Sequence, residues 1–283
     1  MQKTKRIIHH VNRTMEQSIF TKEEIWKPIL ACLAFIIAQT IFGLVAKVLS
    51  NSADGLSPAA LGLATSLGGI TTVYFSAKVL QMYDTKETIK VHGTPGTSSW
   101  VYAIAMGVLG FTAGTLAINI LSEQIPLEDN MQEEFLSMAH DWVGILSICI
   151  IAPIIEEFIF REGMIGYWLR KGKSPLYAIV VSSLIFGAIH MNPAQMPFAF
   201  LSGILLGIIY WKTRNIIFCS ILHILNNSVA ILTMPLPDEA PDALSNSIDC
   251  VGPIWLFFAV FTLICILSMY GFCRTFQTRA LNI

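Results

Sequence analysis

Stretches without a single charged side chain, each about as long as a bilayer is thick, dominate this chain. A helix of roughly 20 apolar residues crosses the hydrocarbon layer. Windows 28–46, 55–77 and 91–122 each meet that length, and windows 215–237 and 250–273 do the same near the C-terminus. Of the 283 residues, 54% are hydrophobic and 13% charged, against about 25% charged in an ordinary soluble domain. So few charges cannot cover a soluble surface, and the bilayer must act as solvent for most of the chain. The net charge of −1 leaves no basic footprint for nucleic acid. Soluble enzymes, DNA-binding proteins and disordered tails are excluded, and an all-α polytopic membrane protein is expected.

Window 142–155 is short, but its helical pattern runs on through Glu156, Glu157 and Arg161 to about Arg170. Window 174–211 is too long for one span, and the sequence Asn192-Pro193-Ala194-Gln195-Met196-Pro197 divides it into a hairpin. About eight spans result. The sixth, 197–211, barely crosses and could be re-entrant. Residues 1–27 carry six Lys or Arg without an apolar core, so they read as a cytosolic or interfacial lead-in helix ending at Trp26-Lys27-Pro28, not a signal peptide. Residues 28–283 then form one transmembrane domain. The segment 131–141 is expected as an interfacial helix with Phe135, Met138 and Trp142 on one side.

With the N-terminus inside, Lys78, Lys86, Lys90, Arg161, Arg170, Lys171, Lys173, Lys212, Arg214, Arg274 and Arg279 all fall on the inner side. The acidic loops 122–141 and 234–252 fall outside. Both termini are therefore expected in the cytosol. Compact loops and the lack of a targeting peptide point to a prokaryotic inner membrane. No C-x-x-C occurs, and five of the six cysteines lie in apolar runs, where they act as small core residues.

Ionisable groups at membrane depth are costly and usually functional. One set stands out: Glu156, Glu157 and Arg161 on the fourth span, His190 on the fifth, and His223 with Asn227 on the seventh. Glu157 and Arg161 have the favoured i, i+4 ion-pair spacing. Glu156 is rotated about 100° away on a regular helix, so it faces something else, suited to general acid–base work in a polar cavity. His190 shares a face with Phe186, and His223 points the same way as Asn227, with Asn226 as an alternative oxyanion partner. The plainer reading of each polar group is a hydrogen bond between neighbouring helices, worth about 1 kcal/mol.

These residues read E-E-x-x-x-R at 156–161, F-x-x-x-H at 186–190 and H-x-x-x-N at 223–227. In that order, on three spans, they resemble the CPBP intramembrane protease family, the CAAX proteases and bacteriocin-processing enzymes also called Abi. The resemblance covers about 142–232. It implies peptide-bond hydrolysis in an active site between spans four, five and seven, with Glu156 and His190 activating water, His223 and Asn227 stabilising the oxyanion, and Glu157 and Arg161 holding the helix. It leaves the cofactor open between zinc and none. Glu156, His190 and His223 could ligate zinc, whereas Asn227 suits an oxyanion hole better. Lipids and a protein or peptide substrate entering from the bilayer or the cytosolic face are the partners implied. The sequences H-E-x-x-H, G-x-S-G and G-x-G-D are absent, which disfavours other intramembrane proteases. Two other readings stay open: a proton-coupled transporter using Glu156, His190 and His223, and a non-catalytic immunity factor or scaffold of the same fold.

Overall fold

The computed structural model describes residues 22–50, 56–83, 99–233 and 254–275. Every element among them is helical. In chain order they are α1 (Lys22–Ser50), α2 (Pro58–Lys78), α3 (Ser99–Glu123), the short α4 (Gln132–Ala139), α5 (Trp142–Arg170), α6 (Pro175–Ile189), α7 (Gln195–Thr213), α8 (Ile216–Leu232) and α9 (Ile254–Thr275). Six of these are long and apolar enough to cross a membrane, and α6 and α8 are shorter apolar helices. The chain is an all-α, multi-span membrane protein. The lead-in up to residue 21, Lys86, Lys90, Arg279, Cys250 and the loop 234–252 lie outside the described residues.

Local sequence sets the helix ends. Ser57 and Ser174 cap α2 and α6 through their side-chain oxygens, each with proline next in sequence, where the missing N–H costs nothing. Asn215 caps α8, and Asp141 accepts from the amides of Val143 and Gly144 at the start of α5. Arg214, at φ 50°, closes α7 in the left-handed conformation and lets α8 turn back at once.

Two expectations change. Helix α1 passes through Pro28 without a break. Proline removes one backbone donor, but the apolar run beyond it can satisfy its own backbone in lipid only by staying helical. The second concerns Trp142, which is 75% exposed and opens α5, while Met138 on α4 is buried. The Asp141 cap separates the two helices, so these side chains do not share a face. The sixth span, α7, proves to be 19 residues long and is of spanning length.

Helix α5 is the axis of the bundle and touches α2, α6, α7 and α8, whereas α9 packs on α3 and α1 on α2. Small residues make these approaches possible, as is general in membranes. A Cβ at Gly68 would meet the α1 backbone at Gln39 at 3.1 Å, and one at Gly69 would meet Ile155 of α5 at 2.7 Å. Hydroxyl contacts add to this: Ser147 of α5 donates to the Gly62 carbonyl of α2 at 3.0 Å.

Candidate active site

Helix α5 is not a regular α-helix. Ser147–Ile151 and Glu157–Gly166 are π-helical, with the wider i→i+5 ladder. Each wide stretch offers a backbone carbonyl to a neighbouring helix. Asn227 of α8 donates to the Ile148 carbonyl at 3.1 Å, and Ser182 of α6 donates to the Phe160 carbonyl at 3.0 Å. A donor inserted beside the ladder is a recognised cause of such distortion.

The second π segment begins at Glu157, so the 156–157 doublet straddles a change of helical pitch. Both carboxylates reach one imidazole. Glu157 Oε1 lies 2.9 Å from Nδ1 of His223, and Glu156 Oε2 lies 3.6 Å from its Nε2. A carboxylate is an acceptor only, so Nδ1 carries the proton and Nε2 is the ring atom facing Glu156. At 3.6 Å the latter pair is within ion-pair range but too far apart for a direct hydrogen bond.

Arg161 Nη1 stands 3.2 Å from Glu157 Oε1, as the i, i+4 spacing predicts, with the two side chains 1% and 0% exposed. Distance alone makes this an ion pair. None of the three guanidinium nitrogens is aligned for a hydrogen bond. The Phe186 ring compensates to some extent, because the guanidinium carbon sits 4.6 Å from its centroid, a desolvated cation–π contact worth about 2 kcal/mol.

Phe186 is the hub of the site. Its ring is edge-on to His190 at 4.9 Å and to His223 at 6.0 Å, and packs on Phe160 at 5.0 Å. The F-x-x-x-H spacing therefore does place ring and imidazole together. His190 caps α6, and its Nδ1–H donates to the Phe186 carbonyl at 2.7 Å, leaving Nε2 available. Met191 follows in the left-handed conformation. Asn192 is fully buried, and its amide donates to Asp129 of the 124–131 loop at 2.8 Å. A residue far away in sequence thus fixes the turn that carries His190.

Asn226 donates to Asn227 Oδ1 at 3.4 Å. That orients the Asn227 amide, whose nitrogen has one N–H on Ile148 and a second free to donate. Glu156, Glu157, Arg161, Phe186 and His223 are thus in direct contact, His190 joins through Phe186, and Asn227 follows one turn beyond His223. Among the described residues, no three His, Cys, Asp or Glu side chains converge closely enough to hold a metal ion.

Sequence reading alone passes over Glu162. It is 2% exposed, accepts from Arg170 Nη1 at 2.7 Å and accepts a short hydrogen bond from the Tyr210 hydroxyl. The signal is present in the sequence: Glu162 is a third carboxylate at membrane depth, directly after Arg161 and followed by Gly163 and Gly166.

Residues 138–229 match the family model "Type II CAAX prenyl endopeptidase Rce1-like". The chain is also similar to the "Membrane-embedded CAAX protease MroQ" of Staphylococcus aureus (strain USA300), with 26% identity over 151 residues. That alignment covers 49% of this chain and 61% of the relative's length. No solved structure matches. All three motifs fall inside the matched region.

Proposed function

We propose that this chain, whose residues 138–229 form an Rce1-like region of the CPBP type, is an intramembrane endopeptidase that hydrolyses a peptide bond by water attack. The observation that carries this reading is His223 set between two carboxylates inside a membrane bundle, at 2.9 and 3.6 Å. Glu157 fixes one ring nitrogen, which commits the other to the reaction, the role a buried carboxylate plays toward a catalytic histidine.

Glu156, assisted by His190, takes a proton from water as the oxygen attacks the scissile carbonyl, shares it with His223 Nε2, and returns it to the leaving amine. The tetrahedral oxyanion is met by the second N–H of Asn227 and by His223 once the proton drawn from water is shared onto Nε2, Nδ1 keeping its own on Glu157. Asn226 orients Asn227. Arg161 and Phe186 keep Glu157 in place. Zinc held by Glu156, His190 and His223 would instead polarise the carbonyl directly, but those three residues do not converge as they stand.

The substrate class is a membrane-associated or lipidated peptide, of which a CAAX-type tail or a processed leader is an example. The family name and the named relative support this. The basic ends of α2, α5, α7 and α9, at Lys78, Arg170, Lys212 and Arg274, support cytosolic termini under the charge rule. A bacterial cytoplasmic membrane is the location that fits the named relative.

Peptide termini are compared by mass spectrometry in membranes bearing wild type or Glu156→Ala at matched levels. Defined termini that vanish in the variant are expected. Identical termini with a folded variant would overturn the assignment.

A further inference from the structure

Midway along the π segment, Glu162 is the node of a second buried network that the hydrolytic mechanism does not use. Its two carboxylate oxygens receive different partners. Oε1 accepts from Arg170, and Oε2 accepts from Tyr210 of α7. Arg170 then reaches across with Nη2 to donate to the Met82 carbonyl, in the segment after α2, at 2.5 Å. Tyr210 is 1% exposed and Glu162 2%. One carboxylate therefore ties α5, α7 and the end of α2 together.

The backbone is cleared for this network. A Cβ at Gly166 would lie 2.8 Å from the Tyr210 hydroxyl and 3.0 Å from Arg170 Nη1. A Cβ at Gly163 would lie 3.0 Å from the Tyr83 hydroxyl. Tyr83 and Tyr210 thus occupy the volume that side chains at 163 and 166 would need. The segment Glu157–Gly166 is held at its start by Glu157 on His223 and at its middle by Glu162 on Tyr210 and Arg170.

A π-helix of ten residues is far longer than the single-turn bulges usually seen and needs an external restraint against relaxing to the α-helical register. Such a relaxation would rotate Glu157 relative to Glu156 and pull one carboxylate away from His223. We propose that Glu162 is a positioning residue: it locks the π register of α5 and thereby holds both adjacent carboxylates on His223. The proposal rests on the endopeptidase reading for its effect on rate, but not for its effect on the imidazole.

The test has two arms. In the first, purified protein in lipid nanodiscs cleaves an internally quenched peptide ending in a farnesylated CAAX tail. Glu162→Ala is expected to lower kcat by about 10²-fold, the scale of a 1 Å misplacement, with KM little changed. Glu162→Gln is expected to keep most of the activity, because its oxygen can accept from Arg170 while its amide donates to a reversed Tyr210 hydroxyl. In the second arm, ring ¹⁵N signals of labelled histidine are recorded without substrate, and His223 is assigned by its loss in His223→Gln. Glu162→Ala is expected to shift the protonated Nδ1 signal, whereas Glu162→Gln leaves it in place. Tyr210→Phe, which deletes one hydroxyl, serves if Glu162→Ala does not fold, with the same shift expected.

An unmoved His223 signal in a folded Glu162→Ala or Tyr210→Phe variant would overturn the proposal. So would an activity loss that only follows the folded fraction. If Glu156→Ala keeps wild-type cleavage, the endopeptidase reading fails instead, and the NMR arm still decides the role of Glu162. If wild type leaves this peptide uncut, the same arm decides.

Discussion

The Glu157 carboxylate lies 2.9 Å from His223 Nδ1, across a sequence separation of 66 residues. This contact joins the E-E-x-x-x-R helix to the H-x-x-x-N helix and fixes which nitrogen of the ring faces Glu156. Glu157 thus has two roles, as partner of Arg161 and as the group that sets the histidine tautomer. The second role distinguishes it from an ordinary interhelical ion pair.

Substituting Glu157 by Gln preserves size and one acceptor oxygen but allows the other tautomer of His223. The expected outcome is a fall in kcat of about 10²–10⁴-fold, by analogy with the carboxylate of a catalytic triad. Folded yield should change far less. Rates of appearance of the mapped termini, normalised to folded protein, check this.

Arg161 is buried beside Glu157 and Phe186. Arg161→Ala leaves a carboxylate without its counter-charge, and such a loss costs about 3–5 kcal/mol. A marked drop in thermal unfolding temperature in detergent is expected. Arg161→Lys should recover some of it, since an ammonium keeps the charge but lacks the planar face that stacks on Phe186.

Asn192→Ala removes the link from the His190 turn to Asp129. A hydrogen bond to a charged group is worth about 1.5–3 kcal/mol, and because Asp129 is exposed a loss toward the lower end of that range is expected. Asp129→Ala should give a similar loss, and the double variant should lose much less than the sum. Additive losses would show that the two side chains do not act on one another.

Donor geometry predicts that cleavage survives 1,10-phenanthroline and prolonged dialysis against EDTA. Activity that disappears on chelation and returns with zinc would mean that His190 moves onto the Glu156–His223 pair when metal binds. Metal content measured alongside activity separates the two outcomes.

Much of this is legible from charge alone. Gaps between Lys, Arg, Asp and Glu mark the long helices, because in lipid a spanning element must be both apolar and helical. The motif spacings place Arg161 on Glu157 and His190 on Phe186, since i, i+4 contacts depend only on local geometry. What stays hidden depends on interhelical register. Nothing local in 142–170 announces a π-helix, so a 100° separation for Glu156 and Glu157 is the natural assumption on a regular helix. The change of pitch between them comes with donors from Ser182 and Asn227, on other helices. Pro28 reads as a helix end by its chemistry, yet the surrounding lipid-facing run overrides that preference.

Helix α6 has only 15 residues, a rise of about 22 Å against roughly 30 Å of hydrocarbon. His190 stands at its end. Local thinning is one way a bilayer accommodates so short a helix, and on that side it would carry headgroups and their water toward the imidazole. The water needed for the proposed hydrolysis would then arrive through a dimple in the lipid and not through a pore in the protein. Bilayer thickness becomes a control on rate: reconstitution in a series of longer acyl chains should slow turnover while leaving the fold intact.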